Sequence, residues 1–202
     1  MAPSSADRPA LRRQLRQLRG ALTRAERAAA ERRILHHLQR LRLFAPGARL
    51  ATYLAMPDEV NLAAAVRLAQ ASGARLFVPL VTSRRRRTMA FVPFRPDGAL
   101  RTGAFGIAEP VVARAQRLAA VNLDTVLVPL LGFDRTGQRL GMGAGFYDRA
   151  LARRRDPHRP WRRPRLIGVA YACQELEAIA PAAWDVALDL VVTDREVVRC
   201  RR

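Results

Sequence analysis

The sequence predicts an α/β fold with a mainly parallel sheet covered on both faces. Three observations lead there. Apolar runs of strand length alternate with amphipathic runs of helix length; a strand, a capped helix and a second strand follow one another between residues 49 and 81; and a glycine-rich turn joins a later strand to a helix. With 202 residues and a hydrophobic fraction of 50%, the chain can bury a full core, and residues 1–202 are read as one domain.

Leu11, Leu15, Leu18 and Leu22 recur at helical spacing, with Pro9 suited to a first turn and Gly20 near the end, predicting an amphipathic helix over 9–22. Thr23 and Glu26 form a capping box that opens a second helix to about Leu41, with Ile34, Leu35, Leu38 and Leu41 on its apolar side. "RLATYLAM" (49–56) reads as a strand. "NLAAAVRLAQAS", capped by Asn61 and stopped by Gly73, reads as a helix, and "ARLFVPLV" (74–81) as the next strand. Arg84–Arg87 is a solvated turn before the strand "TMAFVPF", and "RPDGALRTGAFGIAEP" (95–110) is a loop rich in Gly and Pro. Further strands are expected at about 125–131, 166–171 and 188–193, and "GFYDRALARRR" (145–155) should start a helix. "RRRDPHRPWRRPR" (153–165) carries three prolines and is an exposed excursion.

Composition excludes several classes of function. No apolar run approaches the roughly 20 residues needed to cross a bilayer, and the first twenty residues lack the apolar core of a secretory signal, so a cytoplasmic protein without membrane partners is expected. Cys173 and Cys200 match no metal-ligand spacing and read as free thiols. The net charge of +19 invites a nucleic-acid reading. Yet all 36 basic residues are arginine, which together with abundant alanine points to a bias of composition, so no specific nucleic-acid partner is expected. The absence of lysine excludes a Schiff base, a pyridoxal phosphate anchor and a P-loop.

Gly141, Gly143 and Gly145 lie between a strand and a helix, where bare backbone can approach an anion and a helix start adds oriented N–H groups. The spacing is not a dinucleotide fingerprint, because position 146 is Phe, which weighs against a dinucleotide-dependent oxidoreductase. A tight structural turn is the simpler alternative. Arg139 offers a planar cation to a phosphate and Asp148 a hard oxygen ligand of the kind magnesium prefers, although each alone would read as a surface charge. Together they make a nucleotide-phosphate site.

The stretch "PLLGFDRTGQRLGMGAGFYDRAL" closely resembles the 5-formyltetrahydrofolate cyclo-ligase family, in which Arg-Leu-Gly-x-Gly-x-Gly is followed by two aromatics and Asp. "YLAMPDEVN" (53–61), "GIAEP" (106–110), "WDVALDLVVTD" (184–194) and the basic first helix agree with the family in the same order. The resemblance implies a Rossmann-like three-layer sandwich. It also implies ATP- and magnesium-dependent cyclisation of 5-formyltetrahydrofolate to 5,10-methenyltetrahydrofolate, with ADP and phosphate released through a phosphorylated formyl intermediate. A monomer is expected.

By that resemblance Arg8 and Arg12 hold the ATP phosphates, and Arg139, Leu140, Gly141, Met142, Gly143, Ala144, Gly145, Phe146 and Tyr147 wrap the nucleotide. Arg139, Phe146 and Tyr147 stand at the reacting groups, and Asp148 with Asp185 holds magnesium. Tyr53, Met56 and Glu59, with Gly143, Gly145 and Phe146, line the folate pocket. Three positions depart from the family's usual residues: Arg8 replaces lysine, Phe146 replaces tyrosine and Trp184 replaces histidine. The alternative is a non-catalytic relative that binds RNA through its arginines, but such a scaffold has no reason to keep Glu59, Asp148 and Asp185 beside a phosphate site.

Overall fold

The computed structural model describes residues 8–113, 116–155 and 163–200. Its centre is a seven-stranded sheet. The strands are β1 (Arg49–Ala51), β2 (Arg75–Ser83), β3 (Thr88–Pro93), β6 (Thr125–Pro129), β9 (Arg165–Val169), β10 (Leu190–Val192) and β11 (Val197–Arg199), in the order β11-β10-β9-β6-β1-β2-β3. Five strands, from β10 to β2, run parallel, while β3 and β11 pair antiparallel at the two edges. The mainly parallel α/β architecture is therefore as the sequence predicts.

Alternation along the strands supplies two cores. On one face Leu50, Leu76, Val78, Leu127, Ile167 and Val192 meet Ile34 and Leu38 of α2 (Arg24–Arg40) and Ala65, Val66 and Ala69 of α3 (Ala63–Ala71). On the other, Ala51, Phe77, Val126, Val128, Leu166 and Val191 are covered by Leu123, Phe133, Leu151 and Leu188, with Tyr147 packed against them. That second layer is thin. Its helix α4 (Phe146–Ala150) has five residues, where a helix over 145–155 was expected. The chain tightens into a 3-10 turn over Ala152–Arg155, and Arg154 places both of its terminal nitrogens 2.8 Å from the Asp189 carboxylate. A fixed bidentate anchor there overrides helix propagation.

Helix α1 (Arg8–Gly20) lies over a third cluster, where Leu15 meets Leu131, Leu140 and Ile179. Its buried stripe is Leu11, Leu15 and Arg19, whereas Leu18, expected on the apolar side, is 45% exposed. The capping box forms: Thr23 Oγ1 accepts from Glu26 N–H, and Glu26 Oε2 accepts from Thr23 N–H.

Several expected boundaries move for physical reasons. β1 stops at Ala51 instead of Met56, because residues 52–56 leave the sheet at its carboxyl edge. The loop at 95–110 contains a small antiparallel pair, β4 (Leu100–Thr102) with β5 (Ala108–Pro110). It closes over the buried carboxylate of Glu109, which accepts from Ala104 N–H; a Cβ at Gly103 would stand 2.0 Å from Glu109 Cδ, so only glycine fits. The glutamate of "GIAEP" thus holds its own loop. A second pair, β7 (Gly132–Phe133) with β8 (Arg139–Leu140), is folded around Asp134, whose side chain accepts from Thr136 N–H, Gln138 N–H and Ile179 N–H. Residues 156–162 of the arginine- and proline-rich excursion lie outside the described residues.

Candidate active site

The chain runs from β1 through α3 outward to β2, and later places β6 on the other side of β1 and continues to β9. Strand order therefore reverses between β1 and β6. At such a switch point the two connections diverge and leave a crevice at the strands' carboxyl ends, where open parallel sheets bind ligands. The turn bearing Glu59 follows β1, and the glycine loop follows β6 by way of the β7/β8 hairpin.

Gly143 has φ +102° and Gly145 φ +69°, values that favour glycine and fold the loop back onto α1. Gly141 is different: a Cβ there would meet nothing within 4 Å, so no packing within the described chain demands a glycine. The space beside the Gly141 backbone is open to an approaching ligand. Arg12 Nε donates to Gly141 O at 2.9 Å, and a Cβ at Gly143 would sit 3.4 Å from the Arg12 guanidinium carbon. Burial, then the neighbouring charges of Arg8 and Arg16, pushes the Arg12 guanidinium below its ordinary pKa. An anion in the loop would relieve that crowding. Because α4 has only five residues, contacts to an anion there would rest on bare backbone and arginine more than on a helix dipole.

The two carboxylates expected at a metal are both paired. Arg139 donates to Asp148 Oδ1 at 2.5 Å and to the Val186 carbonyl, and Val186 N–H reaches the same Asp148 oxygen at 3.3 Å. Arg8 donates to Asp185 Oδ2 at 3.1 Å and to Ala180 O at 2.6 Å, while Ala182 N–H also reaches Asp185 Oδ2. The backbone at Asp185–Val186 therefore brings both acids to one edge of the loop. These contacts engage one oxygen of each carboxylate. Among the described residues no group of three or more His, Cys, Asp or Glu gathers as a metal cage. Two carboxylates suit magnesium that arrives with a polyphosphate, since that ion takes its remaining ligands from phosphate and water.

A cavity of about 490 Å³ opens beside the loop, lined by Gly143, Ala144, Gly145, Asp148 and three residues the sequence did not single out for it: Arg87, Arg149 and Ala152. Trp184 completes the wall with 64% of its surface exposed. The run Arg84–Arg87 is a hairpin turn, as expected, yet Arg87, at φ +52°, faces this cavity. Only tertiary placement distinguishes it from its three neighbours. Met142 is exposed, with its sulfur 3.5 Å from Arg16, while the Leu140 side chain lies in the core and offers only its backbone to a ligand.

On the β1 side, Glu59 Oε2 accepts from Met56 N–H at 3.0 Å, and Glu59 N–H returns to Met56 O at 2.9 Å. Glu59 therefore closes its own turn. It does not cap α3, where Asn61 Oδ1 accepts from Ala63 N–H. Burial holds the Glu59 carboxyl above the usual carboxylate range, partly offset by the Met56 N–H and by Arg19. Met56 is exposed on this turn; Tyr53 is buried beneath it, with its hydroxyl donating to Val60 O at 3.1 Å. Burial and the charge of Glu59 also push the Tyr147 hydroxyl up. Among the described residues, the buried side-chain oxygens without a hydrogen-bond partner are Thr52 Oγ1, one residue beyond β1, and Tyr147 Oη. Buried hydroxyls seldom stay unpaired, and Thr52 stands at the switch point itself.

Fold and site together define an α/β protein with glycine loop, arginines and carboxylates gathered at the carboxyl edge of a parallel sheet. The chain belongs to the 5-formyltetrahydrofolate cyclo-ligase family, whose model it matches over residues 4–194. A Haemophilus influenzae protein named 5-formyltetrahydrofolate cyclo-ligase is 30% identical over 188 residues, covering 92% of this chain and 97% of that one. The solution structure of Aquifex aeolicus 5,10-methenyltetrahydrofolate synthetase superposes with a TM-score of 0.78 at 30% identity, covering 97% of this chain and 94% of that one. The synthetase of Mycoplasma pneumoniae gives a TM-score of 0.71 at 27% identity, covering 93% and 99%. No helix among the described residues is long and apolar enough to cross a membrane.

Proposed function

We propose that this protein is a cytoplasmic enzyme that cyclises 5-formyltetrahydrofolate to 5,10-methenyltetrahydrofolate at the expense of ATP. The observation that carries the reading is the meeting, at one switch point, of a glycine loop ringed by Arg8, Arg12 and Arg139 with a turn presenting Glu59. The formyl oxygen is a poor leaving group. Transfer of the ATP γ-phosphoryl to it breaks the bond to ADP and forms an oxygen–phosphorus bond; N10 then attacks the formyl carbon and gives up its proton. Phosphate leaves with the former formyl oxygen. Such chemistry asks for positioning and charge neutralisation more than for a protein nucleophile, which suits a chain without lysine.

The chain's own groups divide the work. Arg12 and the Gly141–Gly145 backbone would cradle the polyphosphate, with Arg8 beside them and Arg139 at the transferring group. Glu59 would accept paired N–H groups of the reduced pterin, and the unpaired Tyr147 hydroxyl would be satisfied by the bound substrate. The side chain of Phe146 follows the last glycine and would pack between the two ligands, whereas Tyr53 supports the Glu59 turn from below. Asp148 and Asp185 would hold magnesium, which supplies charge neutralisation on the phosphates. The RNA-binding alternative draws no support from the relatives described above, which carry the names of enzymes. Mixing the purified protein with 5-formyltetrahydrofolate and Mg-ATP should generate methenyltetrahydrofolate absorbance; absorbance that fails to appear, or that appears without ATP, would overturn the reading.

Two variants separate the parts. Asp148→Asn keeps the size of the side chain but weakens its pairing with Arg139 and its attraction for a cation, so the magnesium concentration for half-maximal rate should rise severalfold, on the order of 1 kcal/mol. A magnesium titration that superposes on that of the parent protein would remove the metal role. Replacing Arg8 and Arg12 together by Ala should raise the KM for ATP by about tenfold or more while leaving that for folate within about twofold. Equal rises in both constants would indicate a displaced α1 instead of a lost phosphate site.

A further inference from the structure

Arg19 is the largest fully buried side chain of the described residues, at 1% exposure, in a helix whose other arginines are partly or wholly exposed. Its Nε and Nη2 both reach Asp58 Oδ2, at 3.1 and 2.5 Å. Asp58 immediately precedes Glu59. The same turn is gripped from α2: Arg27 donates to Pro57 O at 3.4 Å and to Arg19 O at 2.8 Å, and Glu31 Oε1 accepts from Asn61 N–H at 3.0 Å. Only the guanidinium of this pair is buried, Asp58 being 37% exposed, and a buried cation is a poor way to gain stability, because its desolvation offsets most of the attraction and an apolar side chain of similar size would pack as well. What a guanidinium fork gives, and an apolar side chain does not, is a fixed direction for the carboxylate it holds.

We infer that Arg19 is a positioning residue for the folate half of the reaction: through Asp58 it fixes the turn that presents Glu59 to the crevice. This rests on the function proposed above. One helix then serves both substrates, since Arg8 and Arg12 stand at the glycine loop and Arg19 lies further along the axis of α1, roughly 16 Å from Arg8 and roughly 10 Å from Arg12. Glu59 is faced by Arg19 from α1, by Asp58 on its own turn, by Tyr53 beyond β1 and by Tyr147 from α4. Arg19 draws the Glu59 carboxyl down and Asp58 pushes it up. Recognition of pterin N–H groups needs the ionised carboxylate, so folate use is lost as pH falls through the Glu59 value.

The test compares Arg19→Met, Arg19→Lys and Asp58→Asn in the full chain, measuring KM for both substrates and kcat/KM for 5-formyltetrahydrofolate against pH. Arg19→Met should weaken folate use by about ten- to a hundredfold, and its acid limb should move to higher pH. The KM for ATP should stay within about twofold. Arg19→Lys should recover part of the loss. Asp58→Asn should also weaken folate use, but with its acid limb displaced to lower pH, because a negative neighbour of Glu59 has gone while Arg19 remains. Opposite shifts of the limb are not the signature of a merely loosened fold. A folded Arg19→Met with unchanged folate constant and limb, or with equal rises in both constants, would overturn the inference. Should Arg19→Met not fold, Asp58→Asn decides alone, and an unchanged folate constant there overturns it equally. A parent protein that makes no methenyltetrahydrofolate would remove the proposed reaction and this inference with it, whereas an active parent beside indifferent variants removes the inference alone.

Discussion

Replacing Arg139 by methionine is expected to lower kcat by about a thousandfold, the scale on which a guanidinium at a transferring phosphoryl group acts. The side chain is nearly buried and spans two partners, the Val186 carbonyl and the Asp148 carboxylate. It therefore sits in a fixed orientation before any ligand arrives, which is the condition for electrostatic stabilisation without reorganisation. Methionine keeps the length and apolar stem but leaves Asp148 without its cation, so stability should also fall, by about 1–3 kcal/mol. Lysine separates the two effects. A point charge can neutralise Asp148 and restore the melting temperature, yet it lacks the fork needed to hold Val186 and Asp148 together, so turnover should stay far below that of the parent. Melting curves and steady-state kinetics on both variants check this. A methionine variant that loses less than about tenfold in kcat would take Arg139 out of the reaction.

The Glu59 variants carry the second large effect. Glu59→Gln keeps one acceptor but turns an N–H towards pterin donors, so it should be nearly as poor as Glu59→Ala, each weakening folate use by roughly ten- to a hundredfold, or 1.5–3 kcal/mol. The KM for ATP should be little altered. Glu59 closes only its own turn, and the first N–H of α3, that of Ala63, is taken by Asn61, so the two variants should melt close to the parent temperature. The parent's pH profile adds an independent sign. Burial raises the Glu59 carboxyl, so folate use should decline on the acid side at a pH above that of an ordinary glutamate, and this limb should vanish in Glu59→Gln. Variants that melt low but keep their folate constant would reduce Glu59 to a structural role.

Much of this was legible because local chemistry and tertiary need coincide. Thr23 and Glu26 cap α2 as a four-residue pattern demands, and the apolar alternation of "TVLVP" is the alternation of the two cores. The glycine spacing pointed to the loop, and the structure adds that Gly141 is free of packing demand while Gly143 and Gly145 carry positive φ. What escaped notice is what sequence spacing does not encode. Arg19 looks like any other arginine of an arginine-rich helix until Asp58, 39 residues away, is set against it. Arg87 is one of four consecutive arginines, and its selection depends on the hairpin turn that aims it at the cavity. The β7/β8 pair is two residues per strand, too short for periodicity to register, and rests on Asp134 contacts to a segment 45 residues distant. α4 reads as a longer helix because its propensity is adequate; the Arg154–Asp189 anchor that ends it is non-local.

The central claim, that the formyl oxygen itself accepts the phosphoryl group, is tested most directly by labelling that oxygen of 5-formyltetrahydrofolate with a heavy isotope and analysing the phosphate released with ADP. Transfer to the formyl oxygen predicts one labelled oxygen in each phosphate, with ADP and methenyltetrahydrofolate formed in equal amounts. Unlabelled phosphate accompanying labelled water would contradict it, because ATP would then be hydrolysed beside a cyclisation that expels the oxygen by another route.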